Sequence, residues 1–132
     1  MKASTLIAIA AVNGFLATGL GALASHVLGL NDRGAELFSQ ASDFHFVHTL
    51  ALFVCAWILH TWQNNGDAGR WASRAAIFFM IGLFCFCGSL YWLGMMGPGS
   101  LGAYHWITPI GGLAFMAGWL TLAWAGVKAR QN

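Results

Sequence analysis

The feature that most constrains this 132-residue chain is a run of 53 residues, between Arg74 and Lys128, that contains no Asp, Glu, Lys or Arg. Residues 3–31 and 44–66 are also free of these side chains. An uncharged apolar segment of about 20 residues is long enough for a helix to cross the hydrocarbon layer of a bilayer. The long run can hold two such helices, because Gly97-Pro98-Gly99-Ser100 supplies turn residues between them. The sequence therefore predicts four spans, over about residues 4–28, 44–63, 75–96 and 109–127.

The composition fits the same class. Hydrophobic residues make up 58% of the chain and charged residues 8%, which leaves too little polar surface to cover a water-soluble globule. The predicted fold is an all-α, integral membrane bundle of four helices that forms a single domain over residues 1–132. The net charge of +2 is not clustered, so a nucleic-acid partner is not expected. The expected surroundings are the lipid bilayer and other membrane-protein subunits.

The basic residues are distributed unequally between the two ends of the predicted bundle. Only Arg33 falls between spans one and two, whereas the other five lie at the termini or between spans two and three: Lys2, Arg70, Arg74, Lys128 and Arg130. Basic residues concentrate on the cytoplasmic side of membrane proteins. We therefore expect both termini to be cytoplasmic.

A cleaved signal peptide is the alternative interpretation of the N-terminus. Lys2 precedes an apolar run, and Ala22-Leu23-Ala24 has the small-x-small pattern of a cleavage site. The apolar segment is longer than a typical signal core, which favours a retained first span.

Small residues recur at helical spacing in the first and last spans. Helices in lipid associate by close backbone approach, which small residues four apart permit. The predicted packing positions are Gly14, Thr18, Gly21, Gly111, Ala114 and Gly118.

Two further features predict where helices begin and how far they run. Thr108-Pro109 predicts a helix start, with Thr108 as the N-cap and Pro109 at the first helical position. Residues 35–65 contain neither Gly nor Pro. One long second helix is therefore allowed, and its first two turns should extend beyond the hydrocarbon.

Four of the five histidines collect at the non-cytoplasmic end in this topology: His26, His45, His48 and His105. His45 and His48 are three apart and should share a helix face. Imidazole binds copper and zinc, and the nearby thioethers of Met95 and Met96 favour Cu(I). The spacings match no recognised metal motif, so the simpler expectation is no cofactor, with histidines that hydrogen-bond to loop carbonyls or to Asp43 and Glu36.

Asn13 lies roughly 14 Å along the first predicted span, which places it near the bilayer midplane. Its amide should form an interhelical hydrogen bond, and Ser89 and Tyr91 on span three lie at similar or slightly outer depth. A translocation route is the alternative, but no charged residue lies inside any span, and such routes usually need one. No nucleophile, base and orienting group can be assembled, so no catalytic residue is assigned and an enzyme is the least supported class.

Four sequence blocks, at residues 21–28, 44–52, 88–91 and 107–119, resemble the bacterial YgdD-like family, catalogued as domain of unknown function 423. The resemblance implies a four-helix inner-membrane protein with no assigned biochemical role. The family motifs G-A-x-x-A-H-x-L and Y-Q-x-x-H-x-L-A map onto His26 and His48. His45 stands where the family often has Gln, and Ser25 where it often has Ala.

The functional prediction is a small accessory or interaction subunit of a larger membrane assembly. The sequence leaves two alternatives open. One is a periplasm-side metal or redox site built on the outer histidines, and the other is small-solute or proton translocation past Asn13.

Overall fold

The computed structural model describes residues 1–62 and 66–130, whose regular secondary structure is entirely helical. Four helices are long and apolar enough to cross a membrane, which confirms the predicted class. The first two are α1 (Ala3–His26) and α2 (Asp32–Thr61). The third consists of α3 (Gly66–Gly82), a π-helical segment (Leu83–Cys87) and α4 (Gly88–Met96), and the fourth is α5 (Ile107–Ala129). Gln63, the predicted end of span two, lies outside the described residues.

The second helix runs without interruption for 30 residues, or about 45 Å at 1.5 Å per residue. It starts at an N-cap, Asn31, whose side chain accepts a hydrogen bond of 2.8 Å from the backbone N–H of Gly34. Because the hydrocarbon layer is about 30 Å thick, α2 is longer than a perpendicular span requires. The extension of its first turns beyond the layer stays a prediction.

The predicted start of the last helix was wrong by two residues. A short 3₁₀ turn (Gly102–Tyr104) comes first, and α5 then begins at Ile107 with Trp106 in the cap position. The Thr108 hydroxyl does not cap the helix, because it lies 2.7 Å from the hydroxyl of Ser89 on α4. The Thr108 hydroxyl thus bonds to a neighbouring helix and not, as the sequence suggested, to the N-terminus of its own helix.

The two middle helices hold most of the core. α2 packs on α1, α3 and α4, whereas α5 packs on α3 and the π-helical segment. The largest fully buried side chains are Leu6, Phe38, Leu52, Cys55, Phe79 and Cys87. α1 is peripheral, since only Leu6, Ala10 and Ala17 of its 24 residues are buried.

Glycines permit the closest helix contacts. A Cβ added at Gly111 would lie 2.3 Å from the backbone N of Phe86, and one at Gly118 would lie 2.6 Å from the ring of Phe79. Where α2 crosses α4, a Cβ at Gly34 would lie 2.6 Å from the carbonyl oxygen of Gly94. Each of these distances is too short for a side chain, so the glycines set the spacing of the bundle.

Candidate intramembrane binding site

Three helices contribute side chains to a hydrogen-bonded chain inside the bundle. His45 of α2 lies between Tyr91 of α4 and Asn13 of α1. Its Nδ1 is 3.2 Å from the Tyr91 hydroxyl, and its Nε2 is 3.4 Å from Asn13 Oδ1. The amide nitrogen of Asn13 donates to the carbonyl oxygen of Ile9 at 2.9 Å. Asn13 therefore forms an interhelical bond, but its partner is His45 rather than Ser89 or Tyr91.

The chemistry of these groups shows which atom donates and which accepts in each of these hydrogen bonds. Asn13 Oδ1 can only accept, so Nε2 of His45 carries the proton and donates. Nδ1 of the same neutral ring then accepts from the Tyr91 hydroxyl. This assignment follows from the network, since the amide orientation is set by the bond to Ile9.

The three hydrogen-bonded side chains face an open groove between α1 and the third helix, with a volume of about 590 Å³. Among the described residues, its polar groups come from Asn13, His45, Ser89 and Tyr91, and from the indole N–H of Trp92. The remaining lining is apolar and comes from the Trp92 ring and from Ile9, Leu16, Leu20, Met80, Leu83, Phe84, Cys87, Gly88, Leu101 and Ile107. An apolar concavity of this size with a few convergent polar groups is the usual form of a small-molecule site.

The π-helical segment forms one wall of the groove through Leu83, Phe84 and Cys87. Such segments are rare and occur frequently at functional sites, because the wider turn changes the direction of the side chains that follow. Neither Gly nor Pro occurs within this segment, so no local feature of the sequence revealed it.

Ser89 lines the groove, but its hydroxyl is already paired. It donates to the carbonyl oxygen of Phe86 at 2.9 Å, and the Thr108 hydroxyl lies 2.7 Å from it. Because the Ser89 proton is used for Phe86, Thr108 is the donor in the second bond. Ser89 therefore joins α5 to α4.

His48 belongs to a separate cluster, at the contact of α2 with α5. Its Nδ1 donates to the carbonyl oxygen of Phe44 at 2.7 Å, and its Nε2 accepts from the indole N–H of Trp119 at 3.1 Å. Its ring stacks on that of Phe115, with centroids 3.5 Å apart. Since both ring nitrogens are paired, His48 has no free lone pair for a metal.

The four histidines proposed as metal ligands are not brought together. His26 is exposed at the end of α1, and exposed His105 bonds to the carbonyl oxygen of Gly102 at 3.1 Å. His45 and His48 face different neighbours. In the described ranges, no three His, Cys, Asp or Glu residues form a group that could hold a metal ion.

The predicted packing residues divide between buried and exposed positions. On α5, Gly111, Ala114 and Gly118 are all buried. On α1, Gly14 faces Thr49 and Gly21 faces Ser42 at ordinary contact distances of 3.8 and 3.9 Å from an added Cβ. Thr18 is exposed, and its hydroxyl donates to the carbonyl oxygen of Gly14.

The fold and the site together define a small, four-span helical membrane protein with a hydrogen-bonded polar cluster inside its hydrocarbon-spanning part. The chain belongs to the DUF423 family, described as a protein of unknown function, whose sequence profile matches residues 20–112.

Relatives match this chain over nearly its whole length. It is 34% identical to the UPF0382 membrane protein YwdK of Bacillus subtilis, over 92% of this chain and 95% of the relative. It is 30% identical to a UPF0382 membrane protein of Haemophilus influenzae, over 95% of each chain. It is 26% identical to the UPF0382 inner membrane protein YgdD of Escherichia coli K12, over 100% of this chain and 96% of the relative. No solved structure matches the chain significantly.

Proposed function

We propose that this protein binds a membrane-dissolved amphiphile in the groove between α1 and the third helix. The observation that carries the proposal is the Asn13–His45–Tyr91 chain, which lines an otherwise apolar groove of about 590 Å³. Polar residues within membrane spans are costly and commonly functional. Here they are gathered at one place, where a ligand in the bilayer can reach them.

The shape of the groove supports a hydrocarbon ligand. Its apolar walls run from Ile9 to Leu20 along α1, a distance of about 17 Å at 1.5 Å per residue. An alkyl or isoprenoid chain can lie along this length, and the polar side chains provide hydrogen bonds for its head group.

Substitution of Gly88 with leucine is expected to abolish binding by filling the groove. Gly88 lines the groove, and a Cβ there meets nothing within 4 Å, so the fold should tolerate the larger side chain. The probe is a bromine-tagged alkyl ketone in nanodiscs, because bromine quenches tryptophan fluorescence and Trp92 lines the same groove. The quenching that is due to Trp92 is the difference between the quenching measured in the unmodified protein and in its Trp92→Phe variant.

The matched control is Gly126→Leu, at a position on α5 where an added Cβ also meets nothing within 4 Å. Saturable quenching of Trp92 should persist in this control and disappear in Gly88→Leu. Equal quenching in the two variants would show that the groove does not bind the probe.

A second proposed role is that of an accessory subunit, supported by a stripe of small residues that α1 leaves exposed. The stripe consists of Ser4, Ala8, Ala11, Thr18, Ala22 and Ser25, and exposed Phe15 interrupts it near its middle. In lipid, small residues at helical spacing favour close helix association. A further transmembrane helix is therefore the proposed partner of this face.

Replacement of both Ala11 and Ala22 with leucine should release such a partner. The measurement is native mass spectrometry after gentle extraction, with Gly126→Leu as the control that keeps the partner. Recovery of the unmodified protein as a monomer without any bound subunit would argue against the accessory role.

Metal binding and translocation have weaker support than either role above. Nε2 of His48 is occupied by Trp119, and His26 and His105 lie apart from the polar chain. The polar chain ends at the backbone carbonyl of Ile9, and the Asn13 amide before it does not pass on a proton readily.

The proposed location is a bacterial inner membrane with both termini cytoplasmic. The Escherichia coli relative is named an inner membrane protein. Interfacial tryptophans support the orientation, since Arg74 lies over the ring of Trp71 and Lys128 over that of Trp124 at the basic end of the bundle. Labelling of a thiol in the α2–α3 loop of intact cells by an impermeant reagent would contradict it.

A further inference from the structure

We infer, given the amphiphile site proposed above, that the head group of its ligand is an uncharged carbonyl oxygen, as in a ketone or a quinone, bound by the free amide N–H of Asn13. The hydrogen-bond capacity of the groove leads to this class of ligand. The donors and acceptors of each polar group that faces the groove are known. Those that have no partner within the protein are therefore available to a ligand.

Asn13 retains one donor. Its Oδ1 accepts from His45, and one of its two amide protons is used for the carbonyl oxygen of Ile9. The second amide proton has no partner among the described residues. An N–H left unpaired in an apolar setting is rarer in native structures than an acceptor with a spare lone pair, so this proton is the group that most requires a ligand.

Among the described residues, the Tyr91, Ser89 and Thr108 hydroxyl protons at the groove are all used. Tyr91 donates to His45, Ser89 donates to the carbonyl oxygen of Phe86, and Thr108 donates to Ser89. Two donors of the described groove lining then remain, the Asn13 amide and the indole N–H of Trp92, and both select a ligand that accepts a hydrogen bond. The amide is the deeper of the two, since Trp92 lies four residues from the end of α4.

The head group should also be uncharged. Among the described residues that line the groove, none is Asp, Glu, Lys or Arg. A carboxylate or ammonium head group would lie in hydrocarbon without a counter-charge, which is strongly unfavourable. Fatty acids and alkylamines are therefore poor candidates, whereas a ketone or quinone carbonyl needs only a donor.

The depth of Asn13 excludes ordinary glycerolipids. Asn13 lies ten residues from the start of α1 and thirteen from its end, or about 15 and 20 Å from the two ends. This places the amide near the middle of a hydrocarbon layer of about 30 Å. The ester carbonyls of a glycerolipid are tied to a head group at the surface, so only a molecule dissolved within the bilayer can place its carbonyl there.

The test compares a bromine-tagged alkyl ketone with the hydrocarbon of the same chain, which has no acceptor oxygen, by quenching of Trp92 in nanodiscs. The informative variant is Asn13→Ser. A serine hydroxyl can donate to the carbonyl oxygen of Ile9, as Ser25 does to Gly21 and Thr18 to Gly14 in the same helix. Its oxygen can still accept from His45, so the variant removes the free donor and leaves the other bonds possible.

The expected result is that the preference for the ketone over the hydrocarbon is roughly fivefold greater in the unmodified protein than in Asn13→Ser, which is about the factor that one neutral hydrogen bond contributes. Both probes should still bind the variant, because the apolar walls are intact. Asn13→Leu, which also removes the acceptor for His45, should lose the preference as well.

Three outcomes are distinguishable. An equal preference in the unmodified protein and in Asn13→Ser would overturn the carbonyl inference, while loss of both probes in Gly88→Leu would keep the amphiphile site. Unchanged binding in Gly88→Leu would overturn the site itself. Saturable binding of a glycerolipid with brominated acyl chains, without competition from the ketone, would overturn the assignment to a bilayer-dissolved ligand.

Discussion

Substitution of Gly111 with alanine is expected to lower the free energy of unfolding by about 1–3 kcal/mol, the range typical of overpacked cores. The new Cβ would lie 2.3 Å from the backbone N of Phe86 and 2.8 Å from its Cα. Helical backbone cannot move aside as a flexible side chain can, so α5 would have to shift away from the π-helical segment. The measurement is thermal unfolding in detergent, followed by helical circular dichroism and by the yield of protein in its native size-exclusion peak.

Gly112→Ala is the matched control, because it adds the same methyl group one residue along the same helix. Its Cβ would lie 3.8 Å from the Phe86 ring, an ordinary van der Waals distance. We expect this variant to be as stable as the unmodified protein or slightly more stable, since alanine favours the helix. Equal stability of the two alanine variants would contradict the close approach of α5 to Phe86.

Substitution of His48 with alanine should cost about 3 kcal/mol of stability, within the range for large-to-small changes in a core. Three effects contribute. The change leaves a cavity, removes a ring that stacks on Phe115 at 3.5 Å, and leaves the indole N–H of Trp119 without its acceptor. Unfolding in a graded denaturing detergent measures the loss.

A double-mutant cycle separates the hydrogen bond from the other effects. Trp119→Phe removes the indole N–H. The free energy of unfolding of the double variant should then fall by less than the sum of the two single losses. The control is His26→Ala, since His26 is exposed at the end of α1 and its removal should leave stability unchanged. Comparable losses at His26 and His48 would contradict a structural role for the His48–Trp119 pair.

The membrane class could be predicted from the sequence because lipid imposes a simple requirement. Every span needs about 20 uncharged residues, and the absence of charge between Arg74 and Lys128 is visible without any knowledge of packing. The predicted depth of Asn13 depends on the same reasoning, since helical rise converts residue number into distance, and it stays a prediction.

The site itself could not be predicted, because it depends on which helices are neighbours. His45 and His48 were expected to share a face, yet a separation of three residues leaves them about 60° apart around the helix axis. That angle is enough for His45 to contact α1 and α4 while His48 contacts α5. Trp119 was missed as the partner of His48 for the same reason, since 71 residues separate them along the chain.

The π-helical turn at Leu83–Cys87 has a consequence for how the chain can change by insertion and deletion. An extra residue in one turn offsets everything that follows by about 100° around the axis. Tyr91 and Trp92 owe their angular position to that offset, so a one-residue deletion in the turn would relax it to an ordinary helix and rotate Tyr91 away from His45. The position of Tyr91 therefore depends on the number of residues in this turn, although any apolar residues of suitable size could form it.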